Sequence, residues 1–208
     1  HQGANLAGGK VVGDCIECPF HRWQLDASGQ VVAIPYNDRL SPSLRTTAYH
    51  VDERYGFVRF YHDSHASERT GLNDEPPYRP VRFDDIEAGA QRYLGDYDAG
   101  PVHMHLIEFA ENSVDFQHFS PLHGEMFLPW TGIKVPGLEV RHAARWVLDE
   151  ERPHVAWFLN DAQLFAFGRE VPRSGASAKI CIDGPGGLVS FHFDIPDVGK
   201  ITLIQTHT

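Results

Sequence analysis

A chain of 208 residues that is 42% hydrophobic and 12% aromatic is long enough to bury a real core, as one large domain or two small ones. Its formal net charge of -10, with no clustered Lys/Arg stripe, argues against nucleic acid as a partner, and no apolar run approaches the roughly eighteen residues of a membrane helix. Three cysteines, Cys15, Cys18 and Cys181, form an odd set with one C-x-x-C, which points to metal or redox work in a reducing compartment and makes the expected location cytoplasmic.

The chain opens with turns at Gly8-Gly9 and Ser28-Gly29 separating short runs rich in Val, Ile and Trp. This is the pattern of small antiparallel strands joined by hairpins. Between two such strands lies Cys18-Pro19-Phe20-His21. A Cys-x-x-His loop puts a thiolate and an imidazole on one tight turn that Pro19 stiffens, so both can bind one cluster or metal from the same side. A second loop must complete such a site, and His1, with sixteen residues between it and Cys18, is its obvious donor. A zinc half-site or a thioredoxin-like pair at Cys15 and Cys18 would need a second C-x-x-C or a βαβ pattern, and neither occurs. Cys15 is therefore expected to be a small buried residue beside the loop.

Short strands continue through residue 63, with alternation over 46–51 and 56–61. Residues 64–80 are polar and broken by Pro76, Pro77 and Pro80, as a linker would be, with His62 and His65 as solvated loop residues. Residues 101–109 alternate like a strand carrying His103 and His105 on one face.

They lead into residues 111–124, ENSVDFQHFSPLHG. Asp115 and His118 are three apart and share a face if helical. His123 sits well round an ideal helix from His118, unless Pro121 ends or kinks that helix and aims the second imidazole back. Two neutral imidazoles and a carboxylate with open positions make the facial triad of non-haem Fe(II) oxygenases. On its own such a stretch is more often a polar helix face or a satisfied core than a metal site.

Beyond Gly124, runs at 137–147, 155–159, 164–167, 178–182, 188–193 and 201–207 read as an antiparallel sheet curling round a cavity. His142, His154, His192 and His207 have no partner at metal spacing and receive no role.

Taken together, HQGANL, GDCIECPFHRWQ and GQVVAIPY resemble the Rieske 2Fe-2S motif, Cys-x-His followed by Cys-x-x-His, and Asp-x-x-His-x4-His about a hundred residues later resembles the mononuclear iron site of the Rieske non-haem iron oxygenases. The resemblance implies an α+β, mostly β fold: a Rieske antiparallel β subdomain over 1–63, a linker over 64–80, and a catalytic domain over 81–208 with a curved antiparallel sheet flanked by helices, helix-grip-like. It implies His1, Cys18 and His21 as cluster ligands, His118 and His123 as ligands of a mononuclear Fe(II), and Asp115 as the carboxylate that bridges a cluster histidine of one subunit to an iron histidine of the next. A homotrimer follows, since head-to-tail contacts of this kind close into rings.

The family's first cluster cysteine would stand two residues before His1, and its third iron ligand is an aspartate on a C-terminal helix. Asp194 and Asp197 are late carboxylates but fall in a strand and turn. Both missing ligands are therefore expected outside this sequence, with a membrane anchor ahead of His1 left open. The implied chemistry uses O2 as co-substrate and electrons from NAD(P)H through a separate reductase or a ferredoxin. CIECPFHRWQ, AIPY and ENSVDFQHFSPLHG resemble the steroid-acting subgroup, which implies a hydrophobic small-molecule substrate, a sterol or steroid, hydroxylated or desaturated. An aromatic substrate, or a Rieske-fold electron carrier or structural subunit without oxygenase chemistry, are the competing readings.

Overall fold

Short runs interrupted by tight turns yield hairpins at the start of the chain. In the computed structural model, which describes residues 3–62, 75–184 and 187–207, β1 (Lys10–Val12), β2 (Cys15–Glu17), β3 (Gln24–Leu25) and β4 (Val31–Ala33) form an antiparallel meander in that order. Its core is small: Ala4, Cys18, Leu25, Val31 and Ile34, backed by Leu6, Ile16, Trp23 and Leu44. Gly29 shows why that turn needs glycine. Its φ is +79°, and an added Cβ would collide with the Thr46 carbonyl oxygen.

A separate hairpin pairs β5 (Val51–Arg54) with β6 (Phe57–Phe60). Tyr55 and Gly56 both have positive φ, 56° and 80°, so a two-residue primed turn joins the strands and matches their twist. Of the run expected over 46–51, only Val51 joins a strand.

The chain divides into two units, His1–Pro77 and Tyr78–Thr208. Of residues 64–80, only 75–80 are described, and His65 lies outside the described residues.

The second unit is one long antiparallel sheet: β7 (Glu125–Phe127), β8 (Lys134–Leu148), β9 (Val155–Ala166), β10 (Arg169–Glu170), β11 (Ala176–Asp183), β12 (Leu188–Ile195) and β13 (Gly199–Thr206). The spatial order is β13-β12-β11-β9-β8-β7, with β10 paired back onto β9. Residues 155–159 and 164–167, expected as separate strands, belong to one. The polar stretch between them, Asn160 to Gln163, stays in register with β8 throughout and with β11 as far as Ala162, and alternation sends Asp161 and Gln163 to one face and Asn160 and Ala162 to the other.

On that second face Trp146, Phe158, Ile180 and Phe191 align across four strands. Phe158 is fully buried, and Phe109 and Phe119 pack over it. Residues 78–83 line the opposite face: the Val81 amide donates to the buried Asp183 carboxylate at 2.7 Å, and Phe83 lies 4.5 Å from the His192 ring.

Residues 101–109 do not form the expected strand. His105 ends the extended run as the N-cap of α2 (Leu106–Val114), its Nδ1 accepting from the Ile107 amide at 3.2 Å. A helix wins there because Leu106 and Phe109 share a face that the sheet can cover, and Phe109 does pack there. The other α-helix among the described residues is the single turn α1 (Asp84–Glu87), and no described helix is long and apolar enough to cross a membrane.

Candidate functional site

Cys18 follows directly on β2. Its amide donates to the Trp23 carbonyl at 2.8 Å, and the Arg22 amide donates to the Cys18 carbonyl at 3.0 Å. These bonds close a turn round Pro19, Phe20 and His21 that needs a left-handed residue, Arg22, with φ 60°. Arg22 also reaches back to the Glu17 carboxylate at 3.2 Å, and that guanidinium holds Glu17 below its ordinary pKa. Cys18 is 0% exposed and free, whereas His21 is exposed, edge-on to Phe20. The turn thus carries a thiol and an imidazole, the donor types a Rieske cluster takes. Cys15 is half-buried, not buried as expected, since β2 lies next to the exposed edge strand β1. His1 lies outside the described residues.

The second constellation begins where α2 stops. Asp115 leaves the helix (ψ 86°) and accepts the Gln117 amide at 2.9 Å, which caps a 3-10 turn, Phe116–His118. A π-helical turn, Phe119–His123, follows. Five residues separate His118 from His123, a poor match to the 3.6 of an α-helix but close to one wide π turn. Pro121 therefore neither ends the helix nor turns the chain back; the π turn runs through it. The two imidazoles come to 5.5 Å between ring centroids.

Asp115 Oδ2 stands 3.7 Å from His118 Nδ1. That is within ion-pair reach but beyond a hydrogen bond, and His118 Nδ1 is buried with no hydrogen-bond partner. A histidine that bound metal through Nε2 would carry its proton on Nδ1, facing this carboxylate, which is 54% exposed. The two histidines thus fit a metal that takes imidazole, with the carboxylate as their orienting neighbour. Among the described residues no three His, Cys, Asp or Glu side chains converge as a metal group. Asp197 is engaged by Arg173 at 2.9 Å and Asp194 lies on β12 opposite Lys200, so neither completes the set.

The sheet holds this turn in place. Phe119 packs against His123, His142 and Phe158, with centroids 5.3, 5.4 and 5.2 Å away. The Val140 amide donates to the Gly124 carbonyl at 2.7 Å and the Gly124 amide to the Ser120 carbonyl at 3.1 Å. An added Cβ at Gly124 would run into that Ser120 oxygen. His142, for which spacing offered no role, brings its Nε2 to 3.3 Å from the His123 carbonyl oxygen, and Asn160 meets the other ring nitrogen at 3.1 Å. The sequence carried no signal for this pair, because His142 meets Asn160 through the pairing of β8 with β9 and meets His123 through the docking of Gly124 on β8, not through local spacing.

The comparisons with known proteins bear on the first constellation. The family model for the Rieske [2Fe-2S] domain matches residues 1–49, so the chain carries the class of domain that its Cys18–His21 turn suggests. Cholesterol 7-desaturases of Ciona intestinalis and Bombyx mori are 30% and 32% identical, covering 100% and 92% of this chain but 44% and 40% of those relatives. The oxygenase component of a 3-ketosteroid-9-alpha-monooxygenase from Rhodococcus rhodochrous is 33% identical over 78% of this chain and 42% of its own length. The chain carries a Rieske [2Fe-2S] domain and is similar over most of its length to these steroid-named relatives, and it spans less than half the length of the three.

Proposed function

We propose that this chain is the catalytic part of an oxygen-dependent oxidoreductase that hydroxylates or desaturates a sterol or steroid. The observation that carries the reading is the π turn, which brings His118 and His123 within 5.5 Å with Asp115 beside them, in a chain whose first 49 residues match a Rieske domain. Cys18 and His21, with His1, would hold the cluster, and His118 and His123 would hold a mononuclear iron. Iron held there would supply activation of O2, and the electrons would come from NAD(P)H by way of a reductase or ferredoxin and the cluster.

The balance is fixed by the chemistry. Hydroxylation puts one oxygen atom into a C–H bond and sends the other to water, consuming two electrons and two protons from the donor side; desaturation removes two hydrogens from substrate and makes two waters with the same electrons and protons.

The chain's own residues do the rest. Asp115 orients the His118 ring and favours the Nδ1 proton, and its exposure leaves its outer side free to meet a cluster histidine of a neighbouring subunit in a homotrimer. Phe119, backed by Phe158, covers one side of the two histidines, which suits an apolar substrate better than a charged one.

The test is electron paramagnetic resonance on the dithionite-reduced holoprotein, followed by steroid-dependent oxygen uptake. A Rieske-type signal together with uptake is expected. A signal without uptake on any sterol or steroid would favour the electron-carrier reading. Asp115→Ala should keep both iron centres and lose turnover by more than about ten-fold, as loss of an outer-shell carboxylate does; full activity in that variant removes the bridge.

A further inference from the structure

The His142 imidazole stands between two groups, and together they determine which way a buried amide points. Its Nε2 faces the His123 carbonyl oxygen at 3.3 Å; a carbonyl only accepts, so this nitrogen carries the proton. In the neutral ring Nδ1 is then a bare acceptor. The atom it meets at 3.1 Å is the amide nitrogen of Asn160, which donates.

The amide oxygen of Asn160 is left over. It is buried with no hydrogen-bond partner, on a residue only 7% exposed. A buried amide oxygen without a donor is costly and rare, so the position asks for a proton from something not in the chain.

The sheet round it is short of side-chain atoms. Asn160 pairs across the strands with Ala144 and Ala178, and the next row holds His142, Ala162 and Ala176. All five are half-buried. One row the other way, the same face is filled by Trp146, Phe158, Ile180 and Phe191. Phe119 touches His142, His123 and Phe158, which places the alanine-lined half on the histidine-bearing side of the sheet.

We propose that Asn160 Oδ1 is the polar anchor of the substrate site, accepting a hydrogen bond from a hydroxyl on an otherwise apolar ring compound, so that the site takes a ring alcohol in preference to the matching ketone. The inference rests on the steroid-oxidising reading above and narrows its substrate class. A ketone placed there would set two acceptors against each other with no proton between them.

The experiment is anaerobic equilibrium dialysis of the holoprotein against cholesterol and its 3-ketone, cholest-5-en-3-one. The alcohol is expected to bind about ten-fold more tightly or better, the scale of leaving a buried polar group unpaired. Asn160→Leu should erase the preference by weakening the alcohol. Equal binding of alcohol and ketone by the unaltered protein overturns the inference and leaves the steroid reading standing, with the amide oxygen served by water. A preference that survives in a folded Asn160→Leu also overturns it. Binding of neither compound overturns the steroid reading, and the anchor falls with it. Should Asn160→Leu fail to fold by circular dichroism, the unaltered protein's own discrimination decides the matter.

Discussion

The two donor-bearing turns solve the same problem in opposite ways. The turn from Cys18 to Arg22 is closed by its own backbone, through bonds to Trp23 and between Cys18 and Arg22, and its cysteine is part of a small core. The turn from His118 to His123 has weaker local means, a capped 3-10 turn running into a π turn. It is held from below by residues on β8 and β9 that lie from 16 to 39 positions further along the chain, from Val140 against Gly124 to Phe158 against Phe119. A ligand turn made locally survives damage elsewhere; one made by packing inherits every weakness of its support.

The largest test of this contrast is Phe158→Ala. The ring is fully buried beneath Phe119 and Trp146, and its loss should cost about 3–5 kcal/mol. The denaturant midpoint of the Tyr78–Thr208 unit should drop and mononuclear iron should be lost, while the reduced protein keeps its Rieske signal. Equal loss of both centres would erase the distinction between the turns.

Next comes Gly124→Ala, whose methyl must displace the Ser120 carbonyl. It should cost about 1–3 kcal/mol, as overpacking does, and should lower the ratio of iron to acid-labile sulfide without altering the sulfide itself.

A smaller and sharper change is His142→Ala, which removes the donor to the His123 carbonyl. Iron affinity should fall about 10–100-fold, the range for an outer-shell partner, and His142→Gln, which can still reach that carbonyl with an N–H, should recover part of it. Iron binding that is indifferent to both variants would mean that the backbone bonds of Gly124 suffice.

The same contrast explains what could be read from the sequence. The C-x-x-H turn, the glycine turns and the hairpins are set by neighbours within a few residues, so residue types and spacing reveal them. Asp115, His118 and His123 were visible as a set, but the geometry joining them was not. A π turn through Pro121 has no strong residue signature, and the five-residue spacing looked wrong only against an α-helix. The extended look of 101–109 misled because alternation in a short run does not reveal that His105 will cap a helix. His142 and Asn160 were invisible for a deeper reason: their meeting depends on the register between two strands, and Asn160 lay in a polar stretch that read as a break between strands rather than the middle of one.

The finest test concerns a histidine that the sheet treats differently from His123 and His142. His192 lies on the face opposite Phe158, against Phe83, between Ser190 Oγ at 2.9 Å and Thr202 Oγ1 at 3.3 Å. Burial holds its pKa below the ordinary 6.5, because the charged ring would lose hydration that the two hydroxyls do not replace. The unfolded chain therefore binds this proton at a higher pH than the folded one does. Stability from the neutral ring is complete above about pH 6.5 and declines as the pH falls through that value toward the folded pKa. The thermal midpoint of the protein should fall between pH 7.5 and 5.5, and His192→Gln, which keeps a polar group between the hydroxyls but cannot protonate, should show a smaller fall. If the variant's decline matches that of the unaltered protein, the acid sensitivity of this unit arises elsewhere, and the outer face of the sheet is as tolerant of charge as the exposed His21 turn.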